Sequence, residues 1–239
     1  MRILKLFIIL GVLSSSTLCF ATNFENRNCY DIYDPMEKVN RKVFTVNSYL
    51  DYALLRPIAR GYSNLVPEKA KSKINNFFVN FYTPITFVNN ILQLDFKAAM
   101  KTFWKFSFNT TFGILGFHDL TTPLGLDVKK ETFSSTLAYY GARPGPYIVL
   151  PVYGGTNLRD MLDILTFDKS FNPVTYKIST TAYNIVSATG TVHNRAMILP
   201  FTDNIAMTSL DPYVTMRSIL YQKRENELRY PEKYKCIEE

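Results

Sequence analysis

The chain is poor in the residues that build most metal and disulfide sites, with 2 His and 3 Cys among 239 residues. So few ligands argue against a multi-histidine metal centre and against a disulfide-rich scaffold. Glycine-rich phosphate loops, nucleophile elbows, HExxH metal motifs and CxxC pairs are also missing. His118 and His193 are lone histidines with no nucleophile motif near them in the sequence, and we interpret each as a structural or surface residue. We therefore expect no enzyme, no metal and no cofactor.

What the chain has is enough apolar matter for one sizeable core. Hydrophobic residues make up 47% and charged residues 20% of the sequence, which is typical of a folded domain and excludes a disordered chain. Aromatic residues reach 15%, with 18 Phe and 16 Tyr but one Trp. The net charge of +7 is spread along the sequence. Nucleic-acid binding usually clusters basic residues, so we expect no nucleic-acid partner.

The first 21 residues have the organisation of an export signal. Two basic residues precede an apolar run, Leu6 to Leu13, which is too short to span a bilayer. We expect residues 1–21 to be removed on export and residues 22–222 to form one helical domain. Residues 223–239 are expected to form a charged C-terminal tail.

The three cysteines leave two questions open. Cys19 stands where a bacterial lipoprotein carries its acylated cysteine, but Leu18 replaces the small residue that normally precedes it. Ordinary cleavage after Ala21 is the alternative. Cys29 and Cys236 lie near the two ends of the mature chain, where they either pair in an oxidising compartment or remain separate thiols.

Helix signals dominate the mature chain. A capping residue followed by proline marks helix starts at Asp34-Pro35, Thr83-Pro84, Asn172-Pro173 and Asp211-Pro212. Glu37 completes a capping-box pattern with Asp34. Helical spacing of apolar residues and these starts predict helices over 36–50, 70–81, 85–92, 96–109 (capped by Asp95), 157–167, 173–189 and 212–228. Glycine, proline and β-forming residues predict a short extended or hairpin segment near 141–155. The fold is predicted to be mainly α.

One uncharged stretch suggests contact with a membrane. Residues 74–94 carry no formal charge over a length that could span hydrocarbon. The stretch contains five asparagines, one glutamine and Pro84, and each amide would need a hydrogen-bond partner in the bilayer centre. We therefore expect an amphipathic helix with one face in lipid rather than a spanning helix.

The next predicted helix has one basic and one aromatic face. Lys97, Lys101 and Lys105 recur every four residues and so share a face. Apolar side chains, including Trp104 and Phe108, fall largely away from these lysines. Such a helix is typical of a membrane interface, and we expect the three lysines to contact lipid headgroup phosphates. A core helix with a solvated lysine face is the alternative.

Many short motifs occur in one collinear order between Tyr33 and Arg224. They are Asp34-Pro35-x-Glu37-x-x-Asn40-Arg41, Arg56-Pro57, Asn76-Phe77, Phe108-Asn109-Thr110, Gly116-Phe117, Tyr140-Gly141, Gly145-Pro146-Tyr147, Leu158-Arg159-Asp160 and Asp211-Pro212-Tyr213. Together they resemble the MlaA (VacJ) family of outer-membrane lipoproteins. The Leu18-Cys19 pair departs from the lipidation motif of that family.

The resemblance implies a lipid-handling protein. Members of the family form a flat ring of amphipathic helices embedded in the periplasmic leaflet of the Gram-negative outer membrane, with a central channel. Phospholipids mislocalised in the outer leaflet pass through this channel to a periplasmic carrier, which feeds an inner-membrane ABC transporter, and porin-like barrels are the outer-membrane partners. The expected function is therefore maintenance of outer-membrane lipid asymmetry. The alternatives are a structural envelope protein, a porin-associated factor, or a phospholipase. The phospholipase alternative is disfavoured because the sequence has no nucleophile motif.

Polar residues on the predicted helices are the candidates for lining a lipid channel. They are Asn40, Arg41, Asn47, Asn76, Asn80 and Asn89. The alternative for each is structural, because buried polar side chains usually satisfy one another through hydrogen bonds.

Overall fold

The computed structural model describes residues 32–163 and 179–228, and it is mainly helical, as predicted. The helices are α1 (Glu37–Leu50), α2 (Arg56–Leu65), α3 (Glu68–Leu92), α4 (Phe96–Thr111), α5 (Phe133–Tyr139), α6 (Leu158–Leu162), α7 (Thr180–Thr208) and α8 (Pro212–Glu227). A π-helical turn, Asp51–Leu55, joins α1 to α2, and a 3₁₀ turn covers Thr122–Leu124. The strands are β1 (Tyr147–Leu150) and β2 (Gly154–Asn157).

The start of α1 differs from the predicted capping box. Met36 occupies the N-cap position and makes no side-chain cap. The carboxylate of Asp34 instead accepts hydrogen bonds from Asn40 and Arg217, so it is not available to the first turn of the helix. The predicted helix is confirmed, but the predicted role of Asp34 as its cap is wrong.

Helix α3 runs through Pro84 without a break, which corrects the prediction of two helices over 70–81 and 85–92. Proline inside a helix removes one backbone hydrogen bond and costs about 3 kcal/mol. Phe81 and Ile85 are both buried beside it, and α3 packs along α4, so tertiary packing outweighs this local cost. The Thr83 hydroxyl donates to the carbonyl of Val79 within the same helix and does not cap a new one.

Two other predicted caps are confirmed. Asp95 accepts a hydrogen bond from the backbone N–H of Ala98 at 2.8 Å and so caps α4. Asp211 accepts from Tyr213 N at 3.0 Å and from Val214 N at 3.2 Å and caps α8. Leu94, at φ 60, forms the tight turn that sends α4 back along α3.

The predicted hairpin is confirmed in the segment that contains β1 and β2. The two strands pair antiparallel, with Tyr147 opposite Asn157 and Leu150 opposite Gly154. Val152 in the connecting turn and Gly154, the first residue of β2, both take positive φ angles. The hairpin ends two residues beyond the predicted segment and leads directly into α6.

The C-terminal half contains the long helix α7, which is capped by Ser179 and passes through Gly190 and Pro200. The sequence predicted that this helix would end near residue 189. Helix α8 extends to Glu227, into the segment predicted as a charged tail. The Asn172-Pro173 start, the signal at 1–21, and Cys19, Cys29 and Cys236 lie outside the described residues. Among the described residues, no helix is long and apolar enough to cross a membrane.

Candidate functional site: buried polar networks beneath an apolar exterior

Burial in the described residues is inverted relative to an ordinary water-soluble domain. More of the buried side chains are polar or charged than hydrophobic, and many large hydrophobic side chains are exposed. The largest fully buried side chains are all polar or charged: Asn40, Asn89, Asn90, Thr102, Thr121, Glu131, Ser134 and His193. The helices therefore present polar groups to one another and apolar groups to their surroundings.

The exposed surface of α4 is the clearest part of this exterior. Met100, Trp104, Phe108 and Phe112 recur every four residues and are 53%, 46%, 42% and 67% exposed. We call these four residues the α4 aromatic stripe, although Met100 is aliphatic and Phe112 directly follows the last residue of α4. Successive rings touch, with centroids 5.8 Å apart for Trp104 and Phe108 and 5.9 Å apart for Phe108 and Phe112. A continuous exposed aromatic face is typical of a helix that lies in a membrane interface.

The three lysines of α4 do not share one environment. Lys97 is exposed and Lys101 is partly exposed, whereas Lys105 is 5% exposed. The Lys105 ammonium donates to Thr122 Oγ1 at 3.0 Å and lies 3.6 Å from Asp119 and 3.7 Å from Asp127. Lys105 therefore fits neither the predicted contact with headgroup phosphates nor the alternative of a solvated lysine face, because the loop after α4 folds back and places two carboxylates over its ammonium.

Asp119 organises that loop. Its carboxylate accepts hydrogen bonds from Thr122, Asn109 and Thr121. Burial alone would raise its pKa, but these hydrogen bonds outweigh burial and hold the pKa of Asp119 well below its usual range. The side chain therefore remains a charged anchor for the end of α4.

The asparagines of α3 join this helix to α4 and α5. Asn80 donates to Thr110 Oγ1 at 2.9 Å and to the carbonyl of Leu115 at 3.2 Å. Asn89 accepts from the Thr136 hydroxyl at 2.8 Å and is fully buried. Asn76, one turn before Asn80, is partly buried. The contacts of Asn80 and Asn89 correspond to the structural alternative.

Asn40 and Asn47, on α1, both bind the hairpin. Asn40 donates to the carbonyl of Tyr147 at 3.0 Å and accepts from the N–H of Val149 at 3.0 Å. Asn47 donates to the carbonyl of Leu150 at 2.9 Å and accepts from Val152 N at 2.8 Å. Two amides seven residues apart therefore act as surrogate strand partners for the outer edge of β1.

Arg41 lies at the surface beside the start of α8. Its guanidinium pairs with Glu37 at 2.7 Å and with Asp211 at 2.8 Å, and its side chain is 39% exposed. It also stands 4.6 Å from the centroid of the Tyr213 ring, a cation–π contact. The hydrogen bond from Arg41 lowers the pKa of Asp211. Of the α1 candidates, Arg41 and Asn47 are partly exposed, whereas Asn40 is buried.

Beneath Arg41 lies a buried ionic cluster that the sequence did not reveal. Asp34 accepts from the Tyr213 hydroxyl and pairs with Arg217 at 2.8 Å, and its side chain is 2% exposed. Burial, followed by the charge of Asp34, raises the pKa of Tyr147 to about 12. Burial likewise raises the pKa of Tyr213, so both tyrosines stay neutral core residues, and the Tyr213 hydroxyl donates to Asp34.

A second cluster, around Arg159, was also missed. Arg159 is 3% exposed and donates to Ser134 Oγ at 3.1 Å. Asp160 pairs with Arg224 of α8 at 2.9 Å. The partners come from distant positions, so no local spacing could have signalled the cluster.

The predicted candidates thus fall into two groups with different partners. Asn40, Arg41 and Asn47 of α1 bind the hairpin and α8, whereas Asn80 and Asn89 of α3 bind the α4 loop and α5. Of the two histidines, His193 is buried and shares a hydrogen bond with the Tyr62 hydroxyl, and His118 is exposed.

Comparison with known proteins identifies this arrangement. The profile of the MlaA lipoprotein family matches residues 32–227. The chain belongs to the MlaA lipoprotein family. The match spans α1 to α8 and includes both buried clusters and the hairpin between them.

Individual MlaA relatives align over most of their length. The intermembrane phospholipid transport system lipoprotein MlaA of Escherichia coli (strain K12) is 32% identical over 200 residues, 80% of this chain and 77% of the relative. An uncharacterized protein of Rickettsia prowazekii (strain Madrid E) is 45% identical over 208 residues, 87% of this chain and 83% of that protein.

A solved structure shows a similar fold. It comes from work on the structural basis for maintenance of bacterial outer membrane lipid asymmetry. The TM-score is 0.71 at 31% identity, and the match covers 81% of this chain and 98% of that chain.

Proposed function

We propose that this protein is the outer-membrane component of an intermembrane phospholipid transport system, which removes mislocalised phospholipids from the outer leaflet and so maintains lipid asymmetry. The inverted burial pattern is the observation that carries the proposal: polar networks lie inside and the α4 aromatic stripe lies outside. Membership of the MlaA lipoprotein family and the transport role named for the Escherichia coli relative support it.

The proposed mechanism needs no covalent step. Amphipathic helices arranged as a ring in the periplasmic leaflet can hold apolar side chains in hydrocarbon while polar side chains face a wet path. A headgroup moves along the polar path while its acyl chains stay in hydrocarbon. The gradient in lipid packing and removal by the carrier then drive the flux, so the protein acts as a conduit and not as an enzyme.

Several residues are proposed to meet the lipid. Arg41 is 39% exposed beside the α1–α8 junction and can contact a phosphate. Lys97 and Lys101, near the α4 aromatic stripe, are proposed to bind headgroup phosphates at the membrane surface. Asn76 is proposed as a polar lining residue, while Asn40, Asn47, Asn80 and Asn89 are proposed to fix the helices around the path.

The proposed partners follow from the same pathway. A porin-like barrel would hold the protein in the outer membrane, and a periplasmic carrier would pass the phospholipid to an inner-membrane ABC transporter. Family membership supports outer-membrane association. Residence in the periplasmic leaflet is proposed because the α4 aromatic stripe offers an interfacial surface.

Outer-leaflet phospholipid exposure in a strain lacking the gene tests the proposal. An externally added phospholipase, or acylation by an outer-membrane acyltransferase, reports the exposed lipid. We expect more exposed phospholipid in the deletion strain than in the parent. The wild-type gene should return the exposure to the parental level, whereas a gene carrying Trp104→Ser/Phe108→Ser should not. Unchanged exposure in the deletion strain, with the protein shown to be expressed in the parent, would instead support a structural envelope protein or a porin-associated factor.

A further inference from the structure

A polar cavity of about 250 Å³ lies where the hairpin, the segment before α5, and α8 meet. Its charged lining consists of Lys130, Asp160, Asp163, Lys223, Arg224 and Glu227. The cavity is smaller than the roughly 300–1,000 Å³ of sites that enclose drug-sized ligands. It therefore has room for a compact polar group and not for a whole diacyl lipid.

The charges on this lining are balanced, with three cations and three carboxylates. Asp160 and Arg224 are committed to each other, since Nε of Arg224 lies 2.9 Å from Oδ2 of Asp160. Asp160 also accepts from Asn157 at 3.0 Å, and Asp163 accepts from the N–H of Phe133 at 3.0 Å. These groups form a fixed polar floor.

Three charged side chains of the lining are only loosely held. Lys223 and Glu227 are 3.8 Å apart with side chains 68% and 48% exposed, a spacing that is too long for a direct hydrogen bond. Lys130 lies 5.3 Å from the centroid of the Tyr82 ring, and within the described chain no carboxylate lies within 4.0 Å of its ammonium. Glu227 also accepts a long hydrogen bond, 3.4 Å, from Nη1 of Arg224, but it stays half exposed. Lys130 and Lys223 are therefore free to reorganise around a ligand, and Glu227 keeps an accessible carboxylate beside them.

The neighbouring backbone keeps the cavity open. A Cβ at Gly155 would lie 2.0 Å from the Tyr147 hydroxyl oxygen and 3.0 Å from Leu220 Cδ1. Any side chain at this position would displace one wall of the cavity. Glycine on β2 thus preserves the space between the hairpin and α8.

We propose that this cavity binds the zwitterionic phosphoethanolamine headgroup of a phospholipid. Lys130 and Lys223 bind the phosphate, and Glu227 binds the ammonium group. A headgroup with only negative charge meets the same carboxylates and is disfavoured, so charge complementarity selects the zwitterion. The inference rests on the proposed transport function and assigns a headgroup preference to it.

Binding of short-chain lipids to the full chain in detergent tests the assignment. We expect dihexanoyl phosphatidylethanolamine to bind about tenfold more tightly than dihexanoyl phosphatidylglycerol, the effect of one charge-assisted contact. Lys130→Gln/Lys223→Gln should lose about tenfold in phosphatidylethanolamine affinity for the same reason. Lys38→Gln/Lys42→Gln, which removes two exposed lysines from α1, should lose nothing.

Glu227→Gln distinguishes headgroup binding from a merely structural role, because a structural defect would not change the two lipid affinities in opposite directions. The substitution should weaken phosphatidylethanolamine binding and strengthen phosphatidylglycerol binding. Both changes reduce the ratio of the two affinities. Equal binding of the two lipids by the wild type, or an unchanged affinity in the Lys130→Gln/Lys223→Gln variant, would overturn the assignment.

Two further comparisons show whether the bound headgroup belongs to a lipid or to a soluble ester, and they separate this inference from the proposed function. If glycerophosphoethanolamine binds and dihexanoyl phosphatidylethanolamine does not, the cavity serves a soluble ester and the lipid assignment is overturned. The binding measurement contains no transport step, so it fails independently of the outer-leaflet exposure measured in cells. Restored lipid asymmetry with no headgroup preference would overturn the cavity assignment alone.

Discussion

The carboxylate of Asp34 and the guanidinium of Arg217 lie 2.8 Å apart although 183 positions separate them in the chain. Asp34 precedes α1 and Arg217 lies on α8, so this pair joins the two ends of the described chain. The side chains are 2% and 15% exposed, which makes the contact a buried ion pair. The Tyr213 hydroxyl and Asn40 donate to the same carboxylate.

Arg217→Met should strongly destabilise the fold. Removing one partner of a buried ion pair leaves an uncompensated charge and costs about 3–5 kcal/mol. Thermal or denaturant unfolding in detergent measures the loss. Asp34→Asn/Arg217→Met should recover part of it, because the buried carboxylate is then gone. Lys223→Met, which breaks an exposed pair with Glu227, should change the free energy of unfolding by less than about 1 kcal/mol.

Asn40→Ala should loosen the hairpin specifically. The substitution leaves the carbonyl of Tyr147 and the N–H of Val149 without their partners on α1, at roughly 1–3 kcal/mol for each buried group. Hydrogen exchange at the Val149 amide should accelerate more than exchange at amides of α4. Thr45→Ala, which removes an exposed hydroxyl from the same helix, is the matched control and should leave Val149 protected.

Substitutions at Lys105 and Lys97 should have different effects: the first should lower the stability of the fold, and the second should weaken membrane binding. Lys105→Gln removes the buried cation beside Asp119 and Asp127 and should lower the free energy of unfolding by about 1–3 kcal/mol. Lys97→Gln should leave unfolding unchanged and weaken binding to anionic vesicles in a sedimentation assay. An equal loss of vesicle binding in both variants, with no loss of stability at position 105, would contradict this division.

The α4 aromatic stripe should supply much of the membrane affinity. Burying one large apolar side chain contributes about 1.5–3 kcal/mol, so Trp104→Ser/Phe108→Ser should reduce binding to neutral vesicles by at least about 100-fold. Tyr153→Ser removes an exposed aromatic residue from the hairpin, outside the stripe, and is expected to have a smaller effect. Similar losses in the two variants would show that the stripe has no special place in membrane binding.

His193 should make the fold sensitive to mild acid. Burial, and then the charge of Lys71, lower the pKa of His193 from its ordinary value of 6.5. The unfolded chain therefore takes up a proton below pH 6.5 that the folded chain resists, and the free energy of unfolding falls as the pH drops toward the folded-state pKa. Above pH 6.5 the contribution of His193 to stability is fully present.

Unfolding midpoints measured at about pH 7.5 and 5.5, either side of the ordinary histidine pKa, test this dependence. His193→Gln should show a smaller decrease in midpoint than the wild type. His118→Gln changes an exposed histidine and should keep the wild-type decrease. A decrease of the same size in all three proteins would place the acid sensitivity in other groups.

Local signals in the sequence predicted most of the helices. Asp95 and the spacing of apolar residues after it predicted a helix over 96–109, and α4 spans Phe96–Thr111. The same rules failed at Pro84, because packing of α3 against α4 outweighs the cost of an internal proline. They also ended α7 too early, because Gly190 lies against the Phe78 ring and serves close packing instead of a helix end.

The candidate site was predictable in its residue types but not in its partners. The asparagines of α1 and α3 were singled out from the sequence, and the described contacts of Asn40, Asn47, Asn80 and Asn89 are all polar bridges between elements. Their partners are mostly backbone groups or hydroxyls from distant segments, which carry no spacing signal. The Arg159 cluster escaped prediction for the same reason, since Asp160 meets Arg224 from 64 positions away.

The π-helical turn Asp51–Leu55 sets how far α1 is rotated about its own axis relative to α2. Each helical residue adds about 100° of rotation, so deleting one residue from the turn would rotate α1 about its axis by that amount relative to α2. Asn40 and Asn47 would then point away from β1, although no contacting side chain had changed. Loop insertions are usually tolerated, but here the number of residues between Leu50 and Arg56 sets the orientation of α1 relative to α2. Length variation among natural relatives should therefore avoid this turn and collect at exposed loops instead.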